Sequence, residues 1–137
     1  RVNATEQALE LFKQKPLIGN GLGNFGPIVQ GNPASQPDGG WHIVNNEYVE
    51  LLAENGAIGL LMFLILVLAV LYRATKAIQR EKDEFIKSVL IGLTLAFVAI
   101  LTQYLTFSTI YIIHIWMLIG LISSITYFSL SKNEKNA

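Results

Sequence analysis

Three carboxylates share one face of a predicted helix that runs into an apolar segment. Glu47, Glu50 and Glu54 are spaced i, i+3 and i+7 in the segment Asn45–Gly59, which reads NNEYVELLAENGAIG. Paired carboxylates can perform general acid–base chemistry. The alternative interpretation is a solvated helix face just outside a membrane, and the sequence leaves both open.

Two further polar residues lie at the start of this helix. His42 precedes it, and an imidazole can act as a general base near neutral pH, although a surface or packing role is the common alternative. Asn45 is of a residue type that often caps a helix. These residues are candidates for chemistry only if the fold brings them to one surface.

A glycine-rich segment lies upstream. Gly21–Gly26 reads GLGNFG and fits the G-x-G-x-x-G pattern, but the expected βαβ context is missing, so nucleotide binding is not predicted. The pattern predicts a tight loop whose glycines permit positive φ angles. A nest of backbone amides around a lipid-linked phosphate is the second interpretation, and it would use Gly21 and Gly23.

The composition identifies a membrane protein. Hydrophobic residues make up 52% of the 137 residues and charged residues only 15%. Residues 88–131 contain no charged residue. This uncharged run of 44 residues is long enough for two membrane spans and a turn. The segment 55–72 is also uncharged and predicts another span.

The predicted fold is therefore an all-α integral membrane fold with three transmembrane helices, at about 55–73, 88–107 and 111–130. An extracytoplasmic loop region, 1–54, precedes them and contains short helices. One amphipathic helix is predicted over 3–14, a loop over 16–41, and a new helix from near Asn45. Residues 132–137 are expected to form a cytoplasmic tail.

Charge gives the orientation. Five cations lie between the first two predicted spans: Arg73, Lys76, Arg80, Lys82 and Lys87. Positive loops stay in the cytoplasm, so we expect residues 1–54 outside and the tail inside. The zero net charge gives no support for nucleic-acid binding, and the absence of cysteine excludes disulfides and thiolate metal sites. No metal or cofactor is predicted.

Several blocks resemble the O-antigen ligase and polymerase family. Asn45-Asn46, nine residues and then Gly56–Gly59 resemble its signature, His-[Asn/Ser/Gln], nine residues, Gly-x-x-[Gly/Thr/Tyr]. Tyr48–Gly56 is similar to the family's Tyr-Leu-x-Leu-Leu-Ala-Glu-x-Gly. The block Pro16–Phe25 resembles its PLLGVGLGNF segment, and His114–Leu121 its last-helix pattern.

The resemblance implies a polytopic glycosyltransferase of the bacterial cytoplasmic membrane, of which this chain is expected to be the C-terminal part. The donor would be a glycan on undecaprenyl pyrophosphate, and the acceptor a glycan, lipid or protein, with no metal or nucleotide. It implies a pyrophosphate-binding role for Arg1, with Asn46, Tyr48, Gly21 and Gly23 as further substrate-binding residues. Membrane lipids are the other expected partners.

Asn45 departs from the family pattern because it occupies the position of the signature histidine, and an amide is not a base. Three alternatives follow: His42 acts as the base instead, Glu47 does so, or Asn45 serves only to orient the acceptor. A transporter or flippase segment, or a non-catalytic membrane assembly subunit, is the alternative function. A transporter would place its polar residues near mid-membrane, whereas here they lie in residues 19–54.

Overall fold

The structure, a computed structural model, is all-α and describes the backbone of residues 4–135 and the side chains of residues 4–131. Within them it contains five helices: α1 (Ala4–Gln14), α2 (Phe25–Val29), α3 (Glu47–Arg80), α4 (Glu84–Gln103) and α5 (Ile113–Lys135). The three helices α3, α4 and α5 are long and apolar enough to cross a membrane. The predicted all-α membrane fold is confirmed.

The chain divides into two compact units. The first, called here the N-terminal unit, comprises the described residues up to Leu64 together with Gln103–Thr109, and the second, the helical unit, contains most of the three long helices. The core of the N-terminal unit draws on α1, α2 and the start of α3. Its buried residues are Ala8, Leu11, Phe25, Val44 and Ala53.

The short helices form where apolar side chains can reach this core. Helix α1 agrees with the prediction over 3–14 and ends just before Pro16, which disfavours helix in the preceding residue. The predicted loop over 16–41 is wrong at α2, where Phe25 is buried against the core and Pro27 lies in the first helical turn. Proline is tolerated there because the first amides of a helix lack intrahelical partners.

In the helical unit, small and apolar residues allow close helix packing. Ala74 and Ala77 of α3 have no exposed surface, and small residues are the usual means by which membrane helices approach one another closely. Leu90 and Phe97 of α4 and Ile122 of α5 are also buried. Most other apolar residues of these helices remain exposed, as expected where lipid surrounds them.

Helix ends differ from the predicted spans by several residues. Helix α4 begins at Glu84 rather than 88 because the Asp83 carboxylate accepts hydrogen bonds from the amides of Phe85 and Ile86, at 3.0 and 3.3 Å. It ends at Gln103 rather than 107. Helix α5 extends to Lys135, so it includes most of the predicted tail at 132–137.

Helix α3 is interrupted at Gly56. This residue has φ 68° and ψ −172°, which is not a helical conformation, so the helix consists of a first part before Gly56 and an apolar part after it. Backbone groups on both sides of such a break lose their intrahelical partners. The predicted helix that runs from near Asn45 without a break into the apolar segment is therefore wrong at Gly56.

The glycine-rich loop supplies the missing partners. The amides of Ala57 and Ile58 donate to the carbonyls of Pro16 and Leu17, at 2.8 and 3.2 Å. In return the amides of Asn20 and Gly21 donate to the carbonyls of Ala53 and Glu54, at 3.2 and 2.7 Å. The loop therefore replaces the hydrogen bonds that the break removes.

This arrangement needs glycine on both sides of the contact. A Cβ at Gly56 would overlap the carbonyl group of Leu17, and a Cβ at Gly19 would overlap the carbonyl group of Glu54. Both residues also have positive φ. Side chains at these positions would separate the loop from the helix.

We expect Gly56→Ala to destabilise the protein, whereas Gly92→Ala should not. Positive φ with an extended ψ is essentially confined to glycine and costs another residue roughly 1–3 kcal/mol, and displacement of the Leu17 carbonyl adds to that cost. Gly92, exposed in the middle of α4, has open space around its Cα and serves as the matched control. Thermal unfolding in detergent measures both variants, and equal melting temperatures would contradict the assigned role of Gly56.

Candidate functional site

The carboxylate face of α3 points into the protein. Glu47, Glu50 and Glu54 are 1%, 4% and 2% exposed, so the interpretation of a solvated helix face is wrong. A buried carboxylate is costly unless it accepts hydrogen bonds. Each of these three carboxylates accepts one or more from a backbone amide in another part of the N-terminal unit.

Glu54 holds the glycine-rich loop. Its Oε2 accepts a hydrogen bond from the amide of Gly23 at 2.8 Å, and its Oε1 accepts one from the amide of Phe25 at 3.0 Å. The positive φ of Gly23 turns its amide toward the carboxylate. The segment thus forms an anion-binding turn, and the anion it holds is the chain's own carboxylate.

The two glycines proposed to bind substrate are therefore engaged within the chain. Gly23 binds the Glu54 side chain, and Gly21 donates its amide to the Glu54 carbonyl. A phosphate at this turn would have to displace a buried carboxylate. The predicted nest of backbone amides is present, but its amides already donate hydrogen bonds to Glu54.

Glu50 and Glu47 hold two other segments. Glu50 Oε2 accepts a hydrogen bond from the Val44 amide at 2.9 Å. Glu47 Oε2 accepts one from the Thr109 amide at 2.6 Å. Glu47 thereby attaches the turn after α4 to the start of α3, whereas Glu50 holds the residues just before that helix.

Asn46 and the backbone of α3 complete this attachment. The Asn46 side-chain oxygen accepts from the Val49 amide at 3.1 Å, so Asn46 rather than Asn45 caps the helix. Its side-chain nitrogen donates to the Leu105 carbonyl at 3.2 Å. The Glu47 amide donates to the Tyr104 carbonyl at 2.8 Å. Asn46, proposed to bind substrate, thus uses both ends of its amide within the fold.

Tyr104 lies fully buried beside this cluster. Its burial raises the pKa of the phenol to about 12, with the nearby Glu47 charge as a second cause, while the Thr109 hydroxyl has the opposite effect. A phenol with this pKa stays neutral through the physiological range. It contributes a buried neutral donor next to a carboxylate, a feature that hydropathy did not reveal.

The predicted residues at the surface are His42 and Asn45. Both are exposed, and the His42 amide donates to the side-chain oxygen of Gln30 at 3.2 Å. Asn45 has φ 59°, a left-handed conformation in which asparagine is enriched over most other residues. Solvent can reach both side chains, unlike the carboxylate of Glu47.

The remaining predicted residues have different surroundings. Tyr48 is half-buried, and its ring lies 6.4 Å from that of Phe63 at an angle of 54°. Arg1 lies outside the described residues. Among the residues that the structure describes, no group of three or more His, Asp and Glu side chains could hold a metal ion.

A shallow groove next to the break was not predicted. It has a volume of about 250 Å³ and is lined by Ile18, Gly21, Leu22, Glu54, Asn55, Ile58 and Gly59. The Asn55 side-chain oxygen is buried there and accepts no hydrogen bond from the described residues. In the sequence, an asparagine directly before Gly56 is the one feature that points to this groove.

Replacing Glu54 with glutamine should loosen the glycine-rich loop. The amide side chain offers one oxygen in place of two, so one of the two backbone donors faces an NH₂ group. Loss of a hydrogen bond to a charged group costs about 1.5–3 kcal/mol. Hydrogen exchange of a peptide covering residues 20–26 should therefore quicken in Glu54→Gln, while the exposed control Glu10→Gln keeps the parent rate. Equal rates in both variants would refute this role for Glu54.

Alkaline pH should destabilise the fold through Tyr104. An ordinary tyrosine pKa is 10.0, whereas the folded value is about 12, so the unfolded chain loses this proton first. The free energy of unfolding then falls as pH rises from about 10 toward about 12, by up to about 2.7 kcal/mol from two pKa units. Melting temperatures across this range should fall less steeply for Tyr104→Phe than for Tyr72→Phe, which removes an exposed phenol. Parallel curves would contradict the expectation.

Known proteins give no external guide to the site. Comparison of the chain with protein-family models, curated proteins and solved structures finds no match. Any functional proposal therefore depends on two things: the geometry of the N-terminal unit and the motif resemblance.

Proposed function

We propose that the protein is a membrane glycosyltransferase of the O-antigen ligase and polymerase type. It moves a glycan from a polyprenyl-pyrophosphate carrier to a glycan, lipid or protein acceptor. Residues 1–54 lie on the extracytoplasmic side of the bacterial cytoplasmic membrane, and the C-terminus lies in the cytoplasm. That the protein is embedded in a membrane follows from its three apolar helices, and the rest is part of the proposal.

One observation carries the proposal. The two blocks that resemble the family, 16–25 and 45–59, are separated in sequence by residues 26–44, yet four backbone hydrogen bonds and the Glu54 carboxylate join them. Motifs that carry a shared function are expected to meet in space. Their meeting point lies at the start of the apolar part of α3, where a lipid-linked donor would arrive.

The proposed reaction is a displacement at the anomeric carbon of the donor sugar. The acceptor hydroxyl oxygen forms the new bond to that carbon, and the bond between the carbon and the pyrophosphate oxygen breaks. The pyrophosphate leaves on its polyprenyl carrier, and the acceptor proton passes to a general base. Fixed cations stabilise the leaving group, a role that we propose for Arg1.

We propose His42 as the base. It is exposed, whereas Glu47 is buried and already accepts a hydrogen bond from Thr109, so an acceptor hydroxyl reaches His42 more readily. Asn45, three residues away and also exposed, would orient the acceptor by hydrogen bonding. Tyr48, half-buried at the start of α3, would contact substrate only with its exposed part.

The test is transfer activity of the full-length protein in membranes with a lipid-linked glycan donor. His42→Ala should lose about 10²- to 10⁴-fold in rate, the usual cost of a missing general base. The control Gln36→Ala changes an exposed residue of the same loop and should keep the parent rate. Adding Asn45→His to His42→Ala should restore part of the activity.

Each outcome separates the candidate functions. Near-parent transfer in His42→Ala at equal membrane levels would remove His42 as the base. Absence of transfer in the parent protein, with every plausible acceptor, would favour the non-catalytic assembly subunit. Movement of a lipid-linked glycan across the bilayer without transfer would favour the flippase.

A further inference from the structure

The loop that fills the break in α3 exposes large apolar side chains. Leu17, Ile18 and Leu22 are 63%, 73% and 57% exposed, although the adjoining core leaves Phe25 only 1% exposed. No charged residue occurs between Pro16 and Pro37. An exposed cluster of this kind usually marks a surface that contacts something other than water.

Backbone hydrogen bonds fix the depth of this loop relative to α3. The carbonyls of Pro16 and Leu17 accept from Ala57 and Ile58, the first residues of the apolar part of the helix. Leu17 and Ile18 therefore lie beside the first turn of a membrane span. On that helix Ile58, Leu61 and Met62 are also more than half exposed, so the loop continues an apolar, lipid-facing surface.

The loop backbone also suits an apolar environment. Hydrocarbon offers no hydrogen bonds, so backbone polar groups there must be satisfied within the protein. The amides of Gly19, Asn20 and Gly21 donate to the carbonyls of Lys15, Ala53 and Glu54, and Pro16 has no amide hydrogen. These bonds remove much of the cost that keeps ordinary loops out of lipid.

A basic flank completes the surface. Lys13 and Lys15 are exposed directly before Pro16. Lysine side chains near the end of a membrane segment extend toward the headgroup region while their stems stay in apolar surroundings. The order of two lysines followed by an apolar loop thus matches the order of headgroups followed by acyl chains.

We propose that the loop Leu17–Leu22 is embedded in the bilayer, where Leu17, Ile18 and Leu22 contact lipid acyl chains next to the start of the α3 span. This contact is independent of the proposed transferase activity. Its occupant is the acyl region of the surrounding lipid rather than another protein. The loop thereby anchors the N-terminal unit at a fixed depth.

The natural sequence of this chain has no cysteine, which permits a direct test. Single variants Ile18→Cys and Leu22→Cys are made in the full-length protein, in a background without other cysteines, and carry a nitroxide label. The protein is reconstituted in bilayers of phosphatidylcholine and phosphatidylglycerol. Electron paramagnetic resonance then measures collision of each label with oxygen, which concentrates in lipid, and with a water-soluble nickel chelate.

Met62→Cys provides the lipid-exposed reference and Asp38→Cys the aqueous reference. Labels at 18 and 22 should resemble the label at 62, with an oxygen-to-nickel ratio several-fold above that at 38. A ratio equal to that at 38 would overturn the proposal, because the loop would then lie in water. Protection from both reagents would overturn it in favour of a protein that covers the loop. Since these side chains are exposed, the substitutions should leave the melting temperature unchanged.

Discussion

The backbone groups released at Gly56 are the constraint on which the N-terminal unit depends. A break inside a helix leaves amides and carbonyls without intrahelical partners, and such groups are costly when they stay unmet in the protein interior. The Pro16–Gly21 loop lies against the break and supplies the missing partners. Its carbonyls accept hydrogen bonds from amides of α3, and its amides donate to carbonyls of α3. The positions of α1 and α2 follow, because the same loop connects them.

The buried acids extend this principle from backbone to side chains. Glu54 holds the loop before α2, Glu50 holds the residues before α3, and Glu47 holds the turn after α4. One helix face thus fixes three segments that are distant in sequence. These hydrogen bonds fix the positions of the three segments as well as stabilising the fold. If any segment shifted, a buried carboxylate would lose its backbone donor and remain without a partner in the interior. The energetic cost of that loss keeps the exposed surface around His42 and Asn45 in a defined shape.

Features that local composition determines can be predicted from this sequence, whereas features that contacts between distant residues determine cannot. Hydropathy located three spans, and apolar periodicity located α1, since both signals lie within the element itself. The end of α4 was misplaced because residues 88–131 carry no charge, whereas Tyr104 and Leu105 leave the helix to bind Glu47 and Asn46 from far upstream. Likewise the i, i+3, i+7 spacing correctly put three acids on one face, but spacing does not say whether that face meets solvent or protein. Among the site residues, His42 and Asn45 lie at the surface, whereas Asn46, Gly21 and Gly23 form hydrogen bonds within the protein. A single sequence does not show which of these residues belong to which group.

The left-handed backbone at Asn45 has a consequence for how this surface can change over evolutionary time. Asparagine and histidine are both enriched among the few residue types found in that conformation. A single codon change between them would therefore exchange an amide for an imidazole at an exposed point without altering the path of the chain. The side chain at this position is separable from folding, so an exchange between amide and imidazole here would leave the buried carboxylates and the architecture that they hold unchanged.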